Sequence, residues 1–330
     1  MQTVTEHPER SHRASVSGRA RDVVLNECFA RDGLQHEPDF VATERKVALI
    51  DRFSTLGFTR IEATSFTHPV NVPQFTDADA VLRSIARAEG AAYKATCVNL
   101  KSIERANRAR AEGFGPDEIS VVMVASKAML ARAFKRAPEE QDAVIGKMID
   151  TADRGFRIIG TISAALGCPF EGAVDPHHVM ELARWLADRG IDHIAIGDTT
   201  GLGNPATVRD LFKILSTELP QVTLIAHFHD TRGLGLANCM AAYEAGARHF
   251  DCAFGGAGGN PAKIAYAEGY TGNVCTEDLV NMFETMGLST GLDLAGILET
   301  ARLCEATLGR ELLGRVTRSG FGSPLETRIG

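Results

Sequence analysis

The sequence predicts a (β/α)₈ TIM barrel. Three observations lead there: short β-rich runs alternate with amphipathic helical stretches over about 260 residues, there are eight of each, and no glycine-rich phosphate turn follows the first run. The first strand, 23–28, runs instead into ECFARDGLQ, where an open doubly wound sheet would carry its glycines. A helix at 42–56 then leads to a strand at 60–64, a helix at 77–88 to a strand at 93–98, and a helix at 100–112 to a strand at 119–124. The alternation continues with helix 139–155 and strand 158–163, helix 175–189 and strand 193–197, helix 205–218 and strand 223–228, and helix 234–245 and strand 249–253. A helix at 276–286 completes the eighth pair, and a further apolar helix at 292–308 either covers the barrel or forms a homodimer contact, the second being the reading preferred. Gly57, Gly113, Gly155, Gly190 and Gly246 fall near helix ends just before the next strand, where glycine supplies a left-handed cap. The barrel is expected at 21–290, between a flexible arm at 1–20 and a C-terminal helical extension with an irregular tail at 291–330.

Composition narrows the function classes. Apolar residues are 44% and charged residues 23%, the balance of a soluble protein with a sizeable core. A formal net charge of −7 argues against a nucleic-acid partner, because phosphate binding needs a concentrated basic surface. No apolar run approaches the roughly 18 residues of a membrane span. The seven cysteines are scattered with no CxxC pair, which reads as reduced thiols in a cytoplasmic protein. The first residues lack a secretory apolar core, and Glu6 and Glu9 count against a mitochondrial presequence.

Barrel enzymes carry their reactive groups at the C-terminal ends of the strands. The polar residues expected there are Glu27, Arg31 and Asp32 after strand 1, Glu62 and Ser65 on strand 2, Thr161 and Ser163 on strand 5, Asp198 and Thr199 after strand 6, and His227 and His229 on strand 7. His227-Phe228-His229 is the most informative element. Side chains two apart on a strand share a face, with Cα atoms roughly 6–7 Å apart, so both imidazoles can reach one metal ion. Asp32 after strand 1 and Asn273 after strand 8 complete a set of two nitrogen and two oxygen ligands, since strands 7, 8 and 1 run side by side in a closed barrel. That mixture, without cysteine, suits Mg²⁺ or Mn²⁺ better than Zn²⁺.

The stretches ARDGLQHE, IEATSF, ALGCPFEG, GDTTGLG, HFHDTRGLGLAN and TGNVCTEDLVNMFETMG, in this order over residues 22–310, resemble 3-hydroxy-3-methylglutaryl-CoA lyases and the wider metal-dependent barrel group of lyases and acyl-CoA condensing enzymes. The resemblance implies a divalent-metal lyase that cleaves a 3-hydroxyacyl-CoA with a branched or carboxylated C3 to an acyl-CoA and a keto product. It implies Asp32, His227, His229 and Asn273 as metal ligands, Arg31 as the cation at the developing enolate oxygen, Glu62 as an acid that orients the site, and Asp198 near the substrate hydroxyl. His227 or the Asp198 region would take the hydroxyl proton. Gln35, Ser65, Thr161, Ser163 and Thr199 are expected to meet the substrate.

The chain departs from that family in two places. Where the family carries GGCP after strand 8, with a cysteine as proton donor, this chain has Gly258-Gly259-Asn260-Pro261, and an amide cannot act as a general acid. Asn260 thus occupies the catalytic position without the acid, leaving Tyr266, Lys263 or water as donor candidates. Thr161 stands where the family carries a tyrosine, which points to a changed substrate. The Lys127–Arg136 stretch reads as a solvated helix face before it reads as a contact for CoA phosphates. The alternatives are an aldolase on a free hydroxy-keto acid, an acyl-CoA condensing enzyme of the same barrel group, and last a non-catalytic metal-binding scaffold.

Overall fold

A computed structural model describes residues 20–259 and 271–322. Eight strands form a closed barrel in sequence order, every neighbouring pair parallel. They are β1 Val24–Glu27, β2 Arg60–Ser65, β3 Ala92–Cys97, β4 Glu118–Val124, β5 Arg157–Ser163, β6 His193–Asp198, β7 Thr223–Phe228 and β8 His249–Cys252. The barrel closes where β1 pairs with β8 from Val24↔His249 to Glu27↔Cys252.

The outer layer consists of α1 Thr43–Thr55, α2 Ala78–Ser84, α3 Leu100–Ala111, α4 Lys127–Phe134, α5 Pro138–Thr151, α6 Pro176–Ala187, α7 Pro205–Glu218, α8 Gly235–Glu244 and α9 Thr276–Thr285. Several helices start where the sequence supplies a cap. Asn99 accepts the Ser102 N–H ahead of α3, Asp175 accepts the His177 N–H ahead of α6, and Asn204 accepts the Ala206 and Thr207 N–H groups ahead of α7. Each helix turns one apolar stripe to the sheet, as Leu49, Ile50 and Phe53 do on α1 and Val208, Leu211, Phe212 and Leu215 on α7. No helix among the described residues is long and apolar enough to cross a membrane.

Four expectations need correction. The helix expected at 77–88 stops at Ser84, because the chain turns extended at Ile85 and the Ala86 N–H is taken by Asp51. Gly57, Gly113, Gly190 and Gly246 have positive φ, but Gly155 does not. There the helix already ends at Thr151, and the Asp153 carboxylate makes the turn by accepting the Gly155 N–H. The helix expected at 292–308 is α10, Leu294–Leu308, and it covers the barrel, with Ile297, Ala301 and Cys304 buried against the chain's own α1 and the loop after β8. That buried stripe is thus packed within the chain, while Leu303 on the same helix is exposed. Within the tail expected to be irregular, Val316–Ser319 forms a short helix, α11.

The barrel interior is divided. On the β5–β7 side, Ile159, Ala195 and Ile225 form a small apolar cluster. On the β8 and β1–β4 side the inward positions carry Asn26, Arg60, Glu62, Lys94, Glu118 and Asp251, all buried. At the N-terminal end Arg60 pairs with Glu118, which also accepts Arg157 at 3.0 Å. A bulge in β2 lies between Glu62↔Lys94 and Thr64↔Ala95. It shifts the inward set from Arg60 and Glu62 to Ser65, which strict alternation would not allow.

Glu27, fully buried beside this ladder, fastens three segments. It accepts the Phe29 N–H at 2.9 Å, the Phe254 N–H at 3.3 Å and the Thr276 hydroxyl at 2.7 Å. Burial outweighs these bonds and pushes its pKa up to about 8. A carboxyl with a raised folded pKa contributes stability that is present below its unfolded value near 4.5 and is lost as pH rises through about 8. Glu27→Gln is therefore expected to gain stability relative to the parent as pH rises from about 5 to about 8. Thermal melts of the two proteins across that range check this, and a constant difference would show that Glu27 is ionised throughout.

Candidate active site and metal centre

The chain leaves β1 through a wide helical turn at Phe29–Gly33, which places Arg31 and Asp32 over the C-terminal mouth of the barrel. β7 ends at Phe228, whose ring turns outward onto Phe212 of α7, so His227 and His229 both turn inward. Their rings lie 5.4 Å apart. The segment before α9 runs alongside this strand end: the Val274 N–H donates to Phe228 and the Asp230 N–H to Gly272, and His229 pairs with Asn273 in an isolated bridge. Gly258, at φ 134°, passes so close that a Cβ would lie 2.2 Å from Asn273 Nδ2, so only glycine fits.

Asp32 is the centre of the cluster. Its Oδ2 accepts Asn273 Nδ2 at 2.7 Å and lies 3.5 Å from His229 Nε2. Its Oδ1 accepts Gln35 Nε2 at 2.7 Å and Arg31 Nη1. Burial alone would favour the neutral acid, but Arg31, His229 and His227 hold the Asp32 pKa well below the usual carboxylate range. Ligand atoms of Asp32, His227 and His229 all lie within 4.8 Å of one another. His229 turns Nε2 to Asp32, and the Asn273 Oδ1 beside them is buried with no hydrogen-bond partner among the described residues. An orphaned carbonyl acceptor beside an ionised carboxylate and two imidazoles is costly unless something electropositive meets it, so the residues fit a divalent cation.

Behind these groups stands a charged support that sequence reasoning missed. His227 Nδ1 lies 3.1 Å from Asp251 Oδ2, and Asp251 also accepts Asn26 Nδ2 at 2.8 Å. Since an ionised carboxylate only accepts, the His227 proton sits on Nδ1 and leaves the Nε2 lone pair free. Glu62 lies 2.7 Å from Arg31 Nε. Lys94, buried on β3, is shared: its Nζ is 3.5 Å from Glu62 and 3.9 Å from Asp251. Burial works against its charge, yet the two carboxylates outweigh it and the Lys94 pKa is raised. A lysine and an aspartate at inward parity within apolar strands were the available signals.

A cavity of about 130 Å³ opens onto this mouth. The catalytic and metal candidates Arg31, Asp32, His227 and His229 line it, together with the substrate candidates Gln35, Ser65, Thr161, Ser163 and Thr199. Three of these also shape their loops. Ser65 donates to the Thr96 carbonyl, Thr199 accepts the Ala164 N–H at 2.9 Å next to the left-handed Ala164, and Gln35 ties Asp32 to the Gly259 carbonyl. Met129 of α4 lines the cavity too, so the Lys127–Arg136 stretch turns one side inward, while Arg132 stacks on Phe170.

Asp198 is placed differently from its expected role. It is fully buried, does not line the cavity, and its two oxygens accept the Leu202 and Gly203 N–H groups at 2.9 Å. Burial raises its pKa, and each of its oxygens holds the loop after β6. Asn260, Lys263 and Tyr266 lie outside the described residues.

Residues 23–304 match the HMGL-like family model. The chain is 36% identical over 310 residues to the mitochondrial hydroxymethylglutaryl-CoA lyase of Macaca fascicularis, covering 93% of this chain and 92% of that protein. It is 37% identical over 288 residues to the hydroxymethylglutaryl-CoA lyase of Pseudomonas mevalonii, covering 87% and 93%. Among solved structures, an HMG-CoA lyase from Acenitobacter baumannii in complex with coenzyme A and 3-methylmalate superposes with a TM-score of 0.83 at 37% identity, covering 92% of this chain and 96% of the other.

Proposed function

The chain belongs to the HMGL-like family and is a carbon–carbon lyase, and from that premise we propose that it cleaves 3-hydroxy-3-methylglutaryl-CoA to acetyl-CoA and acetoacetate. The observation that carries this reading is the meeting of Arg31 with Asp32, His227 and His229 at one cavity in the barrel mouth. In the reaction the C2–C3 bond breaks and its electron pair passes to C2, forming the enolate of the acetyl thioester. The C3 hydroxyl loses its proton and becomes the ketone of acetoacetate, and a proton is added at C2.

Asp32, His227, His229 and Asn273 would hold a divalent cation, with Mg²⁺ or Mn²⁺ matching the mixed oxygen and nitrogen donors better than Zn²⁺. When bound, such an ion supplies a Lewis acid that polarises a carbonyl and acidifies a hydroxyl. Arg31 sets a fixed positive charge where the enolate oxygen develops, and Glu62 holds that guanidinium by its Nε. Of the two proton acceptors expected from the sequence, Asp198 does not line the cavity, and His227 lines it but its one free lone pair, on Nε2, is the one a cation would take. Ser65, Thr161, Ser163, Thr199 and Gln35 form the wall against which the acyl chain lies. Seven buried free cysteines support a reducing, cytoplasmic setting.

The test is release of acetyl-CoA from 3-hydroxy-3-methylglutaryl-CoA with Mg²⁺ or Mn²⁺. Turnover that a chelator abolishes and added metal restores is the expected result. Turnover unaffected by exhaustive chelation would overturn the metal assignment, and no turnover with metal bound would overturn the substrate.

A further inference from the structure

Below the metal cluster, the cavity floor is built from hydroxyl groups whose hydrogen-bond directions can be worked out. Ser65, Thr96 and Ser120 stand side by side on β2, β3 and β4, in register as Ser65↔Thr96 and Thr96↔Ser120. The Thr96 hydroxyl reaches Glu62 Oε1, and Ser120 Oγ lies 3.1 Å from Thr96 Oγ1. Glu62 is fully buried between Arg31, 2.7 Å from Oε1, and Lys94, 3.5 Å from Oε2. A carboxylate between two cations is ionised and can only accept. Burial alone would raise its pKa, but Arg31 and Lys94 together lower it, in agreement with that geometry.

The rest follows from counting protons. Thr96 owns one hydroxyl hydrogen and gives it to Glu62, so the Thr96–Ser120 contact needs its hydrogen from Ser120. The Ser120 hydroxyl is thereby used, and what Ser120 turns to the cavity is lone pairs only. Its side chain lines the cavity although the residue is 2% exposed. Around it the wall carries Thr96, Val122 and Met129, with Thr161 in register beside Val122. Lone pairs aimed at the cavity repel a carboxylate, and the one carboxylate behind Thr96, Glu62, is already matched by Arg31 and Lys94 and so is not available to an ammonium. A hydroxyl group fits, because it brings the missing hydrogen.

We propose that the cavity floor at Ser120 is a subsite for a hydroxyl-bearing substituent on the acyl chain, so that the enzyme favours hydroxylated 3-hydroxyacyl thioesters over those carrying a plain methyl there. The proposal rests on the lyase reading for the thioester but not for the subsite, and the two are tested apart.

The subsite is read by equilibrium binding of two oxo acids to the full chain in Mg²⁺: acetoacetate and 4-hydroxy-3-oxobutanoate, which differ only by one hydroxyl. The wild type binds the hydroxylated acid about tenfold more tightly. Ser120→Ala brings the two within about twofold. Thr96→Val releases the Ser120 hydrogen toward the cavity, so affinity for 3-oxoglutarate, which places an acceptor in that arm, rises relative to 4-hydroxy-3-oxobutanoate. Thr96→Ser restores the wild-type order, an outcome that loss of packing at Thr96 would not give. Equal affinities in the wild type, or a hydroxyl preference that survives in Ser120→Ala, overturn the subsite. The reaction is read separately, from cleavage of 3-hydroxy-3-methylglutaryl-CoA and its hydroxymethyl analogue. If neither thioester is cleaved while the oxo-acid preference holds, the lyase reading falls and the subsite stands.

Discussion

Replacing Arg31 with methionine lowers kcat for thioester cleavage by about a hundred- to a thousandfold, the usual loss when a fixed charge is withdrawn from a developing oxyanion. Methionine keeps the length and apolar stem of the side chain, so the change isolates the guanidinium. That group is a poor candidate for a surface role: it bonds Asp32, contacts Glu62 at 2.7 Å and is only 15% exposed. Its pKa is raised because Asp32 and Glu62 outweigh the cost of burial, so it stays charged throughout the working pH range. Stability falls as well, by about 3 kcal/mol, since two buried carboxylates lose a partner. Acetyl-CoA release is therefore measured below the variant's own melting temperature. A kcat within fivefold of the parent in that folded variant would remove Arg31 from the chemistry and leave it as a structural counter-ion.

The second large effect is on metal affinity. Asp32 is the only carboxylate in the trio with His227 and His229. Asp32→Asn keeps the shape but removes the charge, and is expected to weaken Mn²⁺ binding by more than about a hundredfold. Asp251 acts from behind, by fixing which nitrogen of His227 carries the proton, and Asp251→Asn is expected to weaken binding by about ten- to a hundredfold. Calorimetric titration of Mn²⁺ into the three proteins gives the order directly. Binding unchanged in Asp32→Asn would move the metal site elsewhere. Binding unchanged in Asp251→Asn would reduce the buried ladder to filling.

Much of the fold was legible because the signals are local. The eight strands begin and end within two residues of where alternation and glycine placement put them, and α1, α3, α7 and α9 likewise. Where a helix end was misjudged, at Ser84 and Thr151, a carboxylate that the apolar pattern does not register had captured a backbone N–H: the distant Asp51 for Ala86 and the adjacent Asp153 for Gly155. The mouth was legible for a related reason. Arg31, Asp32, His227 and His229 sit on strand ends, and a closed barrel brings strand ends together whatever the details.

What the sequence by itself determined is the order of strands and helices, the parity of His227 and His229, and the identity of the groups at the rim. These depend on periodicity and on the properties of single residues. Only the tertiary structure decided that Glu62 and Ser65, three apart on one strand, both face inward, because a bulge in β2 interrupts the alternation. It alone turned Asp198 to its own loop and set Asp251 behind His227, through the β7–β8 register His227↔Asp251. It alone joined Lys94 to two carboxylates on different strands. The physical reason is shared: a side chain's direction is local, but its partner is fixed by the shear between neighbouring strands, which appears only when the barrel closes.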